Sequence, residues 1–392
     1  MGILRKHGAA GAVFAALLAG IVGVSPTFAA EPAGKPKMVT ISTFDVGSSG
    51  YAEMSAVNDA VFKTFDVKVR NVPIGNSVAQ LTATRSGTTQ LWQSCSAHYP
   101  AFEGIQDYGT AQWGPQSLRI VYMSNRVANF SPAATKSSGV TKLADIKGKR
   151  LAWIIGDAAI NMQTEAYLAF AGLTLKDVRL VEFPGYTASL RGMISGQVDV
   201  ALAASSSTGT YEVEASPVGL VWLPVPHADA EGWARIQDTA PFVAPVNVTS
   251  GAGIAKGETL EGGTYPCPVI MAYAKQSADL VYWYTKMVVE SWESYRDTTA
   301  SGAYWQIDRA LKGRQVEPWH EGAVRYFKEI GKWTPELEAR QQYLLKRDSV
   351  LAAGWEAAKT SFAATGKDAK EFPAYWSEQR TAALKAAGLP LF

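Results

Sequence analysis

Twice along this chain a short apolar run ends in a Gly/Ser-rich turn and gives way to a helical pattern. That alternation restricts the fold more than any other feature. In the first half, residues 38–43 read as a strand, 52–64 as a helix with Met54, Val57, Val61 and Phe62 on one face, and 67–70 as a strand. A helix over 77–86 and strands over 91–95 and 118–123 follow. The pattern restarts after the polar lead-in 143–150, with a strand over 151–155, a helix over 161–171 closed by Gly172, a strand over 178–183, a helix over 187–195, and a turn and strand over 196–202. Strand, glycine turn, helix, strand is the signature of α/β architecture with parallel strands. A length of 392 residues suits about two domains. Two such segments predict two lobes with a cleft at the carboxyl ends of their strands, where open sheets place ligands. The last third is helical and aromatic. Leu280, Tyr284, Met287, Val288, Ser291 and Tyr295 share a face, and Thr334-Pro335-Glu336 is a strong helix start.

The first residues carry a different message. Arg5 and Lys6 precede an apolar, small-residue run from Gly8 to Val24, then Ser25-Pro26-Thr27-Phe28-Ala29-Ala30. A positive start, an apolar middle and small residues at positions −3 and −1 make a secretory signal, with cleavage expected after Ala29. Residues 1–29 are therefore expected to be lost, leaving a soluble chain exported to the periplasm with no membrane insertion. Without Arg5 and Lys6 the basic residues number 35 against 35 acidic ones, so no net charge steers the mature chain to nucleic acid or anionic lipid. Hydrophobic residues at 47% and charged residues at 18% exclude disorder. Only two cysteines, Cys95 and Cys267, exclude a disulfide scaffold and a four-cysteine metal site. In an exported chain they either pair with each other or remain two separate buried thiols.

Catalytic signatures are missing. Of the histidines beyond the signal, His98, His227 and His320 are far apart, and none belongs to an H-x-x-x-H pair. The chain has no Gly-x-Ser-x-Gly elbow; Gly47-Ser48-Ser49-Gly50 has the wrong spacing. Gly251-Ala252-Gly253 follows no clear strand, and no phosphate loop with Lys-Ser or Lys-Thr is present. No metal or cofactor is expected. What remains is a set of small polar loops at strand ends. In the first half these are Gly47, Ser48, Ser49 and Tyr51, then Asn76 and Ser77, then Gln93 and Ser94 beside Trp92. In the second half they are Gly156 and Asp157 after Trp153, then Tyr186, then Ser205 and Ser206. Such turns aim backbone N–H groups, hydroxyls and helix N-termini at a ligand. Trp92 and Trp153 are expected to wall the ligand, with Trp222 structural.

The order of motifs resembles the TAXI family, the extracytoplasmic solute-binding subunits of TRAP transporters, over nearly the whole mature chain. The residues that carry it are Gly50-Tyr51, Gly75-Asn76-Ser77-Val78-Ala79-Gln80-Leu81, the Asp145-Ile146-Lys147-Gly148-Lys149-Arg150 core, Gly196-Gln197-Val198-Asp199, and the stretch 320–331 from His320-Glu321-Gly322 to Glu329-Ile330-Gly331. The resemblance implies a two-lobed type II periplasmic-binding-protein fold, each lobe a mainly parallel sheet flanked by helices. Lobe I would comprise 38–125 and 226–392, and lobe II 126–225. It also implies a monomer that captures a small organic solute, an organic acid or amino acid, between its lobes and hands it to an ion-driven permease. The alternatives are a binding protein of the same fold serving an ATP-driven importer or a sensor, and an exported enzyme. The chain departs from the family at Phe44-Asp45-Val46 before Gly47, and at Gly156-Asp157-Ala158-Ala159, where the family has Gly-Ser-Gly. An aspartate there repels a carboxylate ligand unless it turns away or meets a cation.

Overall fold

The computed structural model describes residues 34–44, 46, 48–299 and 301–391, so the expected signal peptide and Gly47 lie outside the described residues. The chain begins with β1 (Met38–Thr43), α1 (Ser49–Phe65), β2 (Lys68–Pro73), α2 (Ser77–Arg85), β3 (Leu91–Ser94), α3 (His98–Glu103) and β4 (Leu118–Met123). Local chemistry sets these boundaries. Ser48 Oγ accepts from the Tyr51 N–H at the start of α1, and Asp66, with φ 54°, turns left-handed to end it. Asn76 caps α2 in the same way. β3 is buried along its whole length, as a central strand covered on both faces must be.

The chain then crosses to a second sheet: β5 (Phe130–Thr135), β6 (Arg150–Ile154), α4 (Ala158–Phe170), β7 (Arg179–Phe183), α5 (Tyr186–Ile194), β8 (Val200–Ala204), α6 (Thr208–Ala215) and β9 (Leu220–Trp222). Next come α7 (Ala230–Thr239) and a hairpin of β10 (Ala244–Val248) with β11 (Leu260–Thr264). The return is β12 (Val269–Tyr273), followed by α8 (Ala278–Glu290), the single turns α9 (Trp292–Tyr295) and α10 (Ile307–Ala310), α11 (Glu321–Glu329), α12 (Pro335–Ala363) and α13 (Phe372–Ala386).

The two sheets have the same plan. The first runs β2-β1-β3-β12-β4 and the second β7-β6-β8-β5-β9. In each, three strands of one α/β run are parallel, and one antiparallel strand enters from the crossing: β12 between β3 and β4, β5 between β8 and β9. The two crossing segments lie side by side. The Ser124 N–H donates to Pro268 O at 2.8 Å, the Cys267 N–H donates to Ser124 O at 3.0 Å, and the Phe130 and Tyr265 rings stand 4.4 Å apart. Two sheets of one topology joined by a double crossing make two lobes on a hinge, as the sequence pattern implied.

The lobe boundary differs from expectation. Residues 226–264, expected in lobe I, pack on the second sheet: Trp233 and Ile236 of α7 join Tyr167 and Phe170 of α4 in one core. β11 lies against the first crossing, where Gly263 N–H donates to Asn129 Oδ1. A Cβ at Gly262 would stand 2.0 Å from Asn129 Oδ1, and one at Gly263 2.1 Å from the Tyr167 hydroxyl. Two glycines thus let the hairpin nest against the hinge.

The C-terminal helices are fastened to lobe I by charge as well as apolar contact. Buried Glu103, at the end of α3, accepts from Arg347 of α12 at 2.6 and 3.0 Å and from Arg380 of α13. Trp376 Nε1–H donates to Gly104 O at 2.7 Å. Cys95 and Cys267 form a disulfide across a sequence separation of 172 residues, tying the end of β3 to the returning crossing.

Candidate functional site

Every loop singled out in the sequence lies at the carboxyl end of a parallel strand: those after β1, β2 and β3 in lobe I, and those after β6, β7 and β8 in lobe II. The helices α1, α2, α4, α5 and α6 begin there, so their N-terminal N–H groups point toward the cleft side of both sheets. Several predicted contact residues are occupied in building this framework. Gln93 braces the first loop, its Oε1 accepting from Phe44 N–H at 3.1 Å and its Nε2 donating to Gly50 O at 2.8 Å. Ser94 Oγ accepts from His98 N–H. Ser205 Oγ accepts from Asn129 N–H at 3.1 Å, tying lobe II to the hinge. The Tyr186 hydroxyl accepts from Ala204 N–H at 2.9 Å and bridges two strand ends. Asn76 is exposed and committed to its cap.

Trp92 is not a cleft wall. It is wholly buried, and its indole N–H donates to Gln80 Oε1 at 2.9 Å. The alternation that put Trp92 beside Gln93 also aims one of them into the core, and both end up enclosed. Trp153 is half-buried on β6. The large apolar side chains left open at the lobe mouths are instead Val46, 70% exposed after β1, and Ile155, 57% exposed after β6. Ser49 and Tyr51 are half-buried at the start of α1. The Ser206 hydroxyl is buried without a hydrogen-bond partner.

Asp157 resolves its conflict by turning inward. Its carboxyl accepts from Ile160 N–H at 3.1 Å as the N-cap of α4. Gly156, with φ 73°, makes the sharp turn that allows this, and open space surrounds it. Burial pushes the Asp157 carboxyl up to about 6, against the pull of two backbone N–H groups, and the charge of Asp107 adds to the rise.

Sequence reasoning missed the hinge side chains. Arg126, in the first crossing, pairs with buried Glu53 of α1 at 2.9 Å, and Trp305 Nε1–H donates to the other Glu53 oxygen at 3.3 Å. Gln163 of α4 donates to Ser96 Oγ at 2.9 Å, so the inner flank of lobe II touches lobe I. These pairings join residues 67 to 252 positions apart, beyond the reach of local periodicity.

A sequence model of the NMT1-like family matches residues 51–331, a span that covers both lobes and both crossings. The chain belongs to the NMT1-like family. NMT1-like proteins are periplasmic substrate-binding proteins. The solved structures similar to this NMT1-like chain include the alkanesulfonate-binding protein SsuA of Xanthomonas axonopodis pv. citri bound to MOPS, at 14% identity over 79% of this chain and 84% of that one, TM-score 0.44. PhnD1 of Prochlorococcus marinus in complex with methylphosphonate is similar at 12% identity over 76% and 99%, TM-score 0.43. The amino acid transporter substrate-binding protein AbpA of Streptococcus pneumoniae bound to L-arginine is similar at 12% identity over 78% and 95%, TM-score 0.36. No curated protein sequence matches the chain.

Two grooves open elsewhere on this NMT1-like chain. One, of about 390 Å³, is lined by Leu311, Arg314 and Leu337; the other, of about 690 Å³, by Lys136, Trp222 and Ile254. Neither borders a strand-end loop. Among the described residues no helix is long and apolar enough to cross a membrane, and no His/Cys/Asp/Glu group is arranged to hold a metal.

Proposed function

We propose that this protein is the extracytoplasmic solute-binding subunit of a TRAP-type secondary transporter. It takes a small organic solute, an organic acid or amino acid, between its lobes and delivers it to the membrane permease. The observation that carries the reading is the pair of sheets with one strand plan, each presenting helix N-termini at the same side of a double hinge. The ligand contacts fall to Ser49, Tyr51 and Ser77 from lobe I, and to Trp153, the Gly156 backbone and Ser206 from lobe II. Val46 and Ile155, exposed at corresponding loops, favour a solute with an apolar portion.

A thermal-shift screen of organic acids, amino acids and aromatic acids tests the reading, since a ligand at 100 times its Kd stabilises by about 2.7 kcal/mol. A hit should then drive uptake in vesicles carrying the partner permease under an ion gradient without ATP. Uptake that requires ATP hydrolysis would assign the protein to an ATP-driven importer, and turnover of a hit would make it an enzyme.

A further inference from the structure

The two stretches that cross between the lobes meet at one sulfur. Arg126, in the first crossing, donates from Nη2 to Cys267 Sγ at 3.3 Å and from Nη1 to Glu53 Oε1 at 2.9 Å. Cys267 lies in the returning crossing and is bonded to Cys95, directly after β3. The two sulfurs are unequal. Cys95 is half-buried, whereas Cys267 is 1% exposed and carries the guanidinium contact. An incoming thiolate therefore reaches Cys95, and a cation stands beside the sulfur that leaves. The backbone on either side is held without the S–S bond. The Cys267 N–H donates to Ser124 O at 3.0 Å, and the Cys95 carbonyl accepts from His98 Nε2 at 3.0 Å. His98 is anchored in turn, its Nδ1 2.8 Å from the buried Glu317 carboxylate. Breaking the bond thus leaves the two sulfurs close together, able to close again.

We propose that Cys95–Cys267 is a redox-responsive clasp on the hinge, opened by a dithiol that attacks Cys95 while Cys267 leaves as a thiolate held by Arg126. The proposal rests on the reading of this chain as two lobes on a hinge. The attacking thiolate forms a bond to Cys95 Sγ, and the electron pair of the Cys95–Cys267 bond goes to Cys267 Sγ. The second thiol of the reductant, once deprotonated, displaces Cys95 and closes a cyclic disulfide. The protein gains two electrons. Of the two dithiol protons, one ends on Cys95 and the other in solvent, because Cys267 stays a thiolate.

A cationic neighbour stabilises a thiolate and makes it a better leaving group. Glu53 sets the opposing effect. In the disulfide form the Arg126 charge is paired with the Glu53 carboxylate, and the neutral sulfur is only a weak acceptor. Reduction places a second anion on the same guanidinium. Glu53 belongs to α1, whose start lies at the cleft side of lobe I, so this competition carries the redox state from the hinge toward the solute site. Reduction also frees the returning crossing from the end of β3, which loosens the hinge.

The test uses the whole mature protein without solute, so that it stands or fails apart from the ligand screen. Reduction of the folded protein by dithiothreitol is followed by mass after acid quench and alkylation. Glu53→Gln leaves the Arg126 charge uncompensated and should speed reduction several-fold. Arg126→Gln with Glu53→Gln removes both charges without stranding either, and should slow reduction several-fold relative to the parent. Three readouts need no variant. Acid-quenched early samples from a reaction with glutathione should carry the adduct on Cys95. The reduced protein should show, by ultraviolet absorbance, one thiolate that persists well below the ordinary thiol value of about 8.5. Amide exchange in residues 124–129 and 265–269 should quicken on reduction. A disulfide that resists dithiothreitol in the folded protein, equal rates in parent and variants, first adducts on Cys267, no thiolate below the ordinary range, or hinge exchange indifferent to redox state would overturn the proposal.

Discussion

Replacing Glu103 by Gln should unfasten the C-terminal helices. In the native protein Glu103, Arg347 and Arg380 are all buried, and the carboxylate is the shared partner of both guanidinium groups. Burial alone would raise the Glu103 carboxyl, but the charges of Arg380 and Arg347 and their N–H bonds outweigh it and hold it below its ordinary value. A Gln keeps the shape but leaves two buried cations with no anion among these three side chains. Breaking a buried ion pair by removing one partner costs about 3–5 kcal/mol. At an unfolding entropy of about 2 cal/mol/K per residue, 4 kcal/mol lowers Tm by about 5 °C for a chain of this length. The loss should be local as well as global. Amide exchange should accelerate in α12 and α13, whose attachments to the end of α3 include this cluster and the Trp376–Gly104 bond, and change little in lobe II. Because the folded carboxyl titrates below the unfolded one, its contribution is present above the unfolded value near 4. It fades as pH falls through the folded value. The Glu103→Gln protein should therefore approach the parent's stability toward pH 2. A loss under about 1 kcal/mol at pH 7, with exchange in residues 335–386 unchanged, would refute this reasoning.

Three further outcomes follow. Titration of the denatured, unreduced exported protein should find no free thiol, and Cys95→Ser with Cys267→Ser should cost about 2–5 kcal/mol by chemical denaturation. Trp92→Ala should cost about 3–5 kcal/mol, whereas Trp153→Ala should leave stability within about 1 kcal/mol and weaken binding of a screened solute, read by calorimetry. His98→Ala strands buried Glu317, whose carboxylate lies 2.8 Å from His98 Nδ1. It should cost about 3 kcal/mol at pH 7, much of it recovered in His98→Ala with Glu317→Gln.

The alternation of strands and helices was legible because each element carries its own period and stop signals. The strands over 38–43 and 118–123 have the bounds read from the sequence. β5 escaped because Pro132 sits inside it, and a proline ordinarily speaks against an interior strand. The helix after β6 starts at Ala158, three residues earlier than expected, because Asp157 is a cap and its signal was read as a ligand loop. The extent of lobe II was hidden for another reason. Its hairpin is short and rich in glycine, and its place depends on Asn129 and Tyr167, far away in sequence. The strand-end loops were visible, but which of their polar groups remain available was not. Ser205, Tyr186 and Gln93 are consumed by partners 18 to 76 residues distant.

The claim that a solute is held between the lobes is tested most directly by amide hydrogen exchange of the mature protein with and without a saturating hit from the thermal-shift screen. The account predicts simultaneous protection at the starts of α1, α4 and α6, that is, in residues 48–52 and in residues 156–160 and 205–210, because one ligand must touch both sheets to favour closure. Protection confined to one lobe, or to the groove lined by Lys136, Trp222 and Ile254, would contradict it.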